Sequence, residues 1–138
     1  MEPGVSVKNS DEKANNGFNV FSCVGNEAVV VSGDAKGSRG VVTGKHGGIE
    51  HVLVDFPPDV LERLAIGDKV QVRSVGKGLE IEGFTGVKVM NLDPNLLEKM
   101  KIEVTPQGKL RVPVAGIAPA HLMGSGIGSP SAERGDYD

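Results

Sequence analysis

Short hydrophobic runs, each bounded by glycine or small polar residues, recur along the chain from Phe18 onward. Most of their apolar residues are the β-branched Val and Ile, which favour strands. Glycines such as Gly33 and Gly67 supply the positive φ that tight turns between strands require. The pattern therefore indicates a mainly β fold, a small barrel or sandwich of short antiparallel strands. The predicted strands are 18–24, 27–32, 40–43, 51–56, 69–75, 78–83, 87–92, 102–105 and 109–114.

Two segments interrupt the strand pattern and predict short helices. They begin at Pro58 and Pro94, because proline is well placed in a first helical turn, where its missing N–H removes no hydrogen bond. Apolar residues then recur on one face of each segment. Residues 1–17 are polar and lack any period, so we expect a flexible N-terminal arm before a β-rich domain at 18–114.

Composition limits the classes of function. The chain has 15 basic and 18 acidic residues and a net charge of −3, so no overall positive field attracts nucleic acid. Cys23 is the one cysteine, which excludes an internal disulfide and a cysteine-based zinc finger. The first residues lack the apolar core of a signal peptide, and no run reaches membrane-spanning length. We therefore expect a cytoplasmic protein without a membrane partner.

A glycine-rich loop with basic residues lies between two of the predicted strands. Lys36, Arg39 and Lys45 border this loop, where they could contact phosphates. The segment 27–56 resembles the KOW motif of ribosomal proteins and transcription elongation factors, which implies an SH3-like barrel and an RNA-binding role for these three residues. The acidic balance and the absence of an aromatic platform for bases favour a hairpin with solvated lysines instead.

The sequence changes character after Val114. Residues 115–138 are rich in glycine and proline and contain few apolar residues that could be buried. We expect this segment to be unable to fold alone and to continue into a missing C-terminal half, which would be the partner of the chain. A homo-oligomer stays open as a second kind of partnership.

Three residues predict a metal site. His46 lies beside two consecutive glycines, and a backbone without Cβ atoms lets a ligand approach closely. Asp136 and Asp138 alternate along the chain, so an extended backbone would point both carboxylates to the same side. An imidazole with carboxylates suits zinc or a similar divalent ion, which lowers the pKa of bound water to about 7. His51 begins a strand and is expected to face solvent or a carboxylate.

Four motifs stand in a particular order and spacing, GKHGG at 44–48, NLDP at 91–94, MGSGIG at 123–128 and RGDYD at 134–138. In these motifs the chain resembles a prokaryotic family of uncharacterised function, whose longer members imply a missing C-terminal half. The last motif also has a similarity to the acetamidase/formamidase family and its Gly-Gly-Asn-Met-Asp segment. Gly135 matches the second glycine, Asp136 stands at the asparagine, and Asp138 matches the aspartate. This resemblance implies a contribution to a metal-assisted amidase site.

Three functions follow from these patterns and stay open at this point. The chain could supply half of a metal-assisted hydrolase site, bind nucleic acid through a KOW-like loop, or serve as a structural or assembly module without catalysis. The combination of His46 with Asp136 and Asp138 favours the hydrolase. Whether His46 and Asp136 approach each other in space is the observation that would decide between them.

Overall fold

A five-stranded antiparallel sheet, curled into a half-barrel, forms the main part of the computed structural model, which describes residues 4–46 and 50–117. The strands are β1 (Val5–Val7), β2 (Glu27–Val30), β3 (Arg39–His46), β4 (His51–Asp55), β5 (Val70–Val72), β6 (Glu103–Val104) and β7 (Leu110–Arg111). The order in the main sheet is β1-β4-β3-β2-β5. A separate two-stranded sheet pairs β6 with β7. The mainly β prediction is confirmed.

Three short helices accompany the sheets in the described residues: α1 (Glu12–Phe21), α2 (Pro58–Leu61) and α3 (Pro94–Lys99). The predictions of α2 and α3 are confirmed, and both helices have proline in the first turn. The side chain of Asp93 caps α3 by accepting a hydrogen bond from the N–H of Asn95 at 2.7 Å. None of the helices in the described part of the chain is long and apolar enough to cross a membrane.

The N-terminal residues differ from the flexible arm expected over 1–17. Val5–Val7 pairs with β4 as an edge strand, and its valines face the core through Val54 and Val52. The side chain of Asp11 accepts a hydrogen bond from the N–H of Ala14 at 2.8 Å and so begins α1. The expected strand at 18–24 is therefore absent, because its first residues complete this helix.

The core lies on one face of the half-barrel and consists of small apolar side chains. Alternation along β4 buries Val52 and Val54 completely, and Val42 of β3 lies opposite Val54. Phe56 and Val60 are buried in the same core. Because burying a valine side chain contributes about 1.5–3 kcal/mol, the alternating valines fix which face of each strand points inward.

The predicted strands at 78–83 and 87–92 are not formed. The backbone hydrogen bonds in this region close single turns, from the N–H of Leu79 to Gly76 and from the N–H of Val87 to Phe84. Apolar residues alternate here as they do in the sheet, but no described strand lies beside them to satisfy their backbone groups. Alternation alone was therefore insufficient to specify strands.

Candidate functional site

A β-bulge in β3 determines which side chains reach each face of the sheet. Val42 pairs with Val54, and Gly44 pairs with the next residue of β4, Leu53, so Thr43 is one residue more than β4 can match. After this extra residue, Lys45 lies opposite the buried Val52. The bulge thus places Lys45 on the core side and leaves the next residue along β3 on the opposite face.

That next residue is His46, which pairs directly with His51 at the end of the β3–β4 ladder. Directly opposed residues of antiparallel strands have Cβ atoms about 4.5–5.5 Å apart, so the two imidazoles share one face. Both side chains are half-buried. The Nδ1 atoms of both rings are buried and have no hydrogen-bond partner among the described residues. Two neighbouring ring nitrogens therefore lack the partner that buried polar atoms normally have.

Two side chains of helix α1 form hydrogen bonds with Glu50, the residue before His51. The carbonyl oxygen of Glu50 accepts a hydrogen bond from the side-chain amide of Asn15 at 3.0 Å and a second from that of Asn19 at 2.8 Å. Glu50 has a φ of 53°, a left-handed conformation that side chains other than glycine adopt only rarely. Since Asn15 is 1% exposed, this contact is part of the packed structure and fixes the start of β4.

Lys45 connects the GKHGG motif to the NLDP motif. Its Nζ donates a hydrogen bond to the side-chain oxygen of Asn91 at 3.2 Å. Asn91 itself has a φ of 52°, and its carbonyl oxygen accepts a hydrogen bond from the N–H of Val24 at 2.7 Å. Two of the motifs singled out in the sequence therefore meet on the core side of β3, away from the histidine pair.

A buried polar group beside this contact joins the sheet to α3. The side-chain amide of Asn26 donates to the carboxylate of Asp93 at 2.9 Å, and its oxygen accepts from the N–H of Cys23 at 2.8 Å. Asn26 and Cys23 are fully buried, and Asp93 is nearly so. Burial raises the pKa of the Cys23 thiol, Lys45 and Lys77 oppose this rise, and Asp93 adds to it. No substrate can reach the sulfur atom, so we assign this cluster a structural role.

The basic residues of the KOW-like segment do not form one surface. Lys36 is exposed in the loop between β2 and β3. Arg39 begins β3 and forms an ion pair with Glu27 at 2.9 Å. Lys45 lies six residues further along the strand. At about 3.3 Å per residue this separation is roughly 20 Å, and Lys45 also faces the core side. The structure therefore separates the three residues that the KOW-like prediction combined.

The histidine pair provides fewer ligands than a zinc site requires. Within residues 4–46 and 50–117, no group of three or more His, Cys, Asp or Glu side chains could hold a metal ion. Zinc is normally held by three or four protein ligands. Asp136 and Asp138, which the sequence combined with His46, lie outside the described residues. The sequence analysis assigned His46 but not His51 to the metal site, because His51 was expected to face solvent or a carboxylate. The pairing of the two histidines depends on the strand register.

Comparisons with known proteins identify a family of unknown function and a similar solved structure. A family described as a domain of unknown function (DUF4438), N-terminal, matches residues 1–98. The C-terminal domain of the same family matches residues 99–138. The crystal structure of TM1086 is similar with a TM-score of 0.83 and 52% sequence identity, covering 95% of this chain and 46% of that chain. This chain thus spans about half the length of that relative. No curated protein matches.

These matches correct one prediction from the sequence. The expectation that the C-terminal domain is a separate partner of this chain is wrong, because residues 99–138 match the C-terminal domain of the family. The glycine-rich composition of 115–138 suggested an unfinished chain, but low apolar content within a segment does not show which domain the segment belongs to. With 1–98 assigned to one domain and 99–138 to the other, the chain belongs to the DUF4438 family, a family of unknown function.

Proposed function

We propose that the protein binds a divalent metal ion at the end of the β3–β4 ladder, with His46 and His51 as ligands, and that this ion serves a hydrolase reaction. The observation that carries the proposal is the direct pairing of the two histidines with both Nδ1 atoms buried and without a hydrogen-bond partner among the described residues. An unsatisfied buried nitrogen costs about 1–3 kcal/mol, and coordination to a metal ion would satisfy it.

The geometry of the pair suits bidentate coordination. In a tetrahedral zinc site, nitrogens bound at about 2.0–2.1 Å lie about 3.3 Å from each other. Opposed residues with Cβ atoms about 4.5–5.5 Å apart can bring two Nδ1 atoms to this separation, because Nδ1 is the ring nitrogen nearer to Cβ. Strands β3 and β4 are also held by the ladder and by the contact of α1 with Glu50, so little order would be lost on binding.

Further ligands have to complete the site, and we propose Asp136 and Asp138 for this role. Their carboxylates are the oxygen ligands that accompany imidazoles in zinc hydrolases, and the similarity of their motif to the amidase segment supports the choice. A bound ion would lower the pKa of a coordinated water to about 7 and so supply hydroxide at neutral pH for attack on an amide or similar bond. A cytoplasmic location remains part of this proposal.

Metal binding can be measured by competition between the protein and a chromophoric chelator for zinc. We expect the variants His46→Ala and His51→Ala each to lose at least about tenfold in zinc affinity, since each removes one of a few ligands. The remaining histidine of the sequence gives a matched control, and His121→Ala should bind zinc as the unchanged protein does. Zinc affinity that is equal in the unchanged protein and in the double His46 and His51 variant would refute the site.

The hydrolase part of the proposal has its own test. Hydrolysis of simple aliphatic amides should require added zinc or cobalt and should stop when a chelator removes the ion. We expect Asp136→Asn to weaken metal binding and to lower the rate together, whereas Lys36→Ala, an exposed change away from the pair, should affect neither. Metal binding without amide hydrolysis would retain the metal site and reject the amidase assignment.

A further inference from the structure

An open cleft of about 560 Å³ lies beside the first residues of β3, at the end of the strand that is remote from His46. One side of the cleft is formed by β3 and the end of β4, and the other by the segment that leads into α2. Its volume is within the range of about 300–1,000 Å³ that is usual for small-molecule sites. None of the functions discussed above uses this cleft.

Most of the cleft wall is apolar and rigid. Val41 contributes from β3, Phe56 from the residue after β4, and Leu61 from α2. Pro57 and Pro58 complete this wall, and their rings fix the backbone φ. Since Phe56 is only 3% exposed, its ring belongs to the core and forms a fixed base for the cleft. This wall suits a ligand with an aliphatic body.

Two residues of opposite charge are neighbours of Val41 on its face of the sheet, and Glu27 of β2 lies opposite Val41 on the other side. Asp55 is the direct partner of Val41 in β4, and Arg39 precedes Val41 by two residues, so all three lie on the same face of the sheet. Such diagonal neighbours are about 7–8 Å apart, a distance that an arginine side chain can span, but Arg39 pairs with Glu27 rather than with Asp55 and so leaves space for a ligand between them. The Asp55 carboxylate has no ion pair or hydrogen bond with any of the described residues.

The guanidinium of Arg39 is available to a ligand although it has a partner. Its ion pair with Glu27 joins two exposed side chains, 78% and 39% accessible. Exposed pairs of this kind contribute little to stability, so a carboxylate in the cleft can share or replace Glu27 at little cost. Arg39 therefore offers a positive charge to the cleft, and Asp55 offers a negative one.

We infer that this cleft binds a zwitterion with an aliphatic body, a short apolar peptide with both termini free. Its ammonium group would face Asp55, its carboxylate would face Arg39, and its side chains would lie on the apolar wall. Asp55 would repel a simple anion and Arg39 would repel a simple cation, so we expect each of these to bind less tightly than a zwitterion. The inference is independent of the metal site, because Arg39 and His46 are at opposite ends of β3.

The test is a titration followed by amide chemical shifts in nuclear magnetic resonance spectra. Three probes of similar shape separate the charges: L-leucyl-L-leucine, 3-methylbutylamine and 4-methylpentanoate. We expect the dipeptide to shift the amides of residues 39–41, 55, 56 and 59–61. It should bind about two- to fivefold more tightly than either singly charged probe, since each of those probes lacks one exposed charged contact. Equal affinity for the three probes, or no shift with the dipeptide, would overturn the inference.

Four variants assign the contacts. Asp55→Asn and Arg39→Gln should each weaken binding of the dipeptide about two- to fivefold, and Glu27→Gln should strengthen it because Arg39 then loses its competing partner. Asp59→Asn is the matched control, since Asp59 is an exposed carboxylate of α2 outside the cleft lining. Melting curves establish that each variant is folded before the titration. A dipeptide affinity that is unchanged in a folded Asp55→Asn variant would also contradict the inference.

Discussion

Replacing Asn26 by alanine should destabilise the fold more than most single polar substitutions do. The side chain of Asn26 makes three short hydrogen bonds, to the Cys23 N–H, the Val75 carbonyl and the Asp93 carboxylate, at 2.8, 2.8 and 2.9 Å. In the alanine variant these three groups stay in place, but each loses its hydrogen bond to the side chain of residue 26. The backbone bonds of Asn26 to Cys23 and Val42 are unaffected, so the change tests the side chain alone.

The expected loss of stability is estimated from the buried groups that lose their hydrogen bonds to Asn26. A buried donor left without an acceptor costs about 1–3 kcal/mol, which applies to the Cys23 N–H. Losing a hydrogen bond to a charged group costs about 1.5–3 kcal/mol, which applies to Asp93 at 4% exposure. The sum is reduced where water enters, so we expect a loss of about 3–5 kcal/mol in the free energy of unfolding. The free energy of unfolding of a domain is only about 5–15 kcal/mol, so this loss would be a large fraction of it.

Urea denaturation of the unchanged protein and of Asn26→Ala measures this loss through the midpoint at constant slope. Asn16→Ala is the matched control, because Asn16 is exposed on α1 and the change should alter the stability by less than about 0.5 kcal/mol. A double-mutant cycle with Asp93→Ala should give a coupling of about 1 kcal/mol or more, because the two side chains are in contact. A loss below about 1 kcal/mol for Asn26→Ala, or strictly additive effects in the cycle, would refute the reasoning.

Three further predictions concern single positions. Gly40→Ala should destabilise the protein by about 1–3 kcal/mol, because the new Cβ would overlap the carbonyl oxygen of Asp55 and the ring of Phe56. Gly17→Ala in α1 meets no atom within 4 Å and should stabilise the protein by about 0.5–1 kcal/mol. Thermal melting distinguishes the two variants. Because burial raises the pKa of Cys23 in the folded state, stability should be complete below the unfolded pKa of about 8.5 and decline as the pH rises through the folded value, with Cys23→Ala lacking this decline in urea titrations. Deleting Thr43 should remove the bulge but keep Lys45 opposite Val52 and His46 opposite His51, so zinc titration should show that metal binding is retained.

The elements that the sequence predicted correctly are those fixed by local rules. Val52 and Val54 alternate with polar residues, and burial of alternate positions follows directly. Pro58 and Pro94 mark helix starts because proline suits the first turn. Helix α1 was missed because its Asn-Asn-Gly sequence is a weak helix former, and the signal that could have indicated it is the capping side chain of Asp11.

The arrangement of the candidate site depended on contacts that the sequence does not display. His51 was expected to face solvent or a carboxylate, and it instead pairs with His46 because the strand register brings them together. The register of a hairpin depends on the turn and on any bulge. Neither the glycines at 47–48 nor Thr43 indicates in the sequence how many residues of one strand will have no partner in the other. The metal ligand set of His46, Asp136 and Asp138 stays a prediction, since the two aspartates lie outside the described residues.

Lys45 and His46 show why adjacent residues of one motif need not serve one site. Successive side chains of a strand point to opposite faces, so the motif has to divide its two polar residues between the core side and the other face. The bulge at Thr43 decides the division: Lys45 goes to the core side and binds Asn91, and His46 goes to the face of His51. If Thr43 instead paired with Leu53 in a regular ladder, Lys45 would lie opposite His51 on the outward face, and His46 would fall on the core side. The same irregularity that connects the two motifs therefore also brings the two histidines together on the opposite face of the sheet.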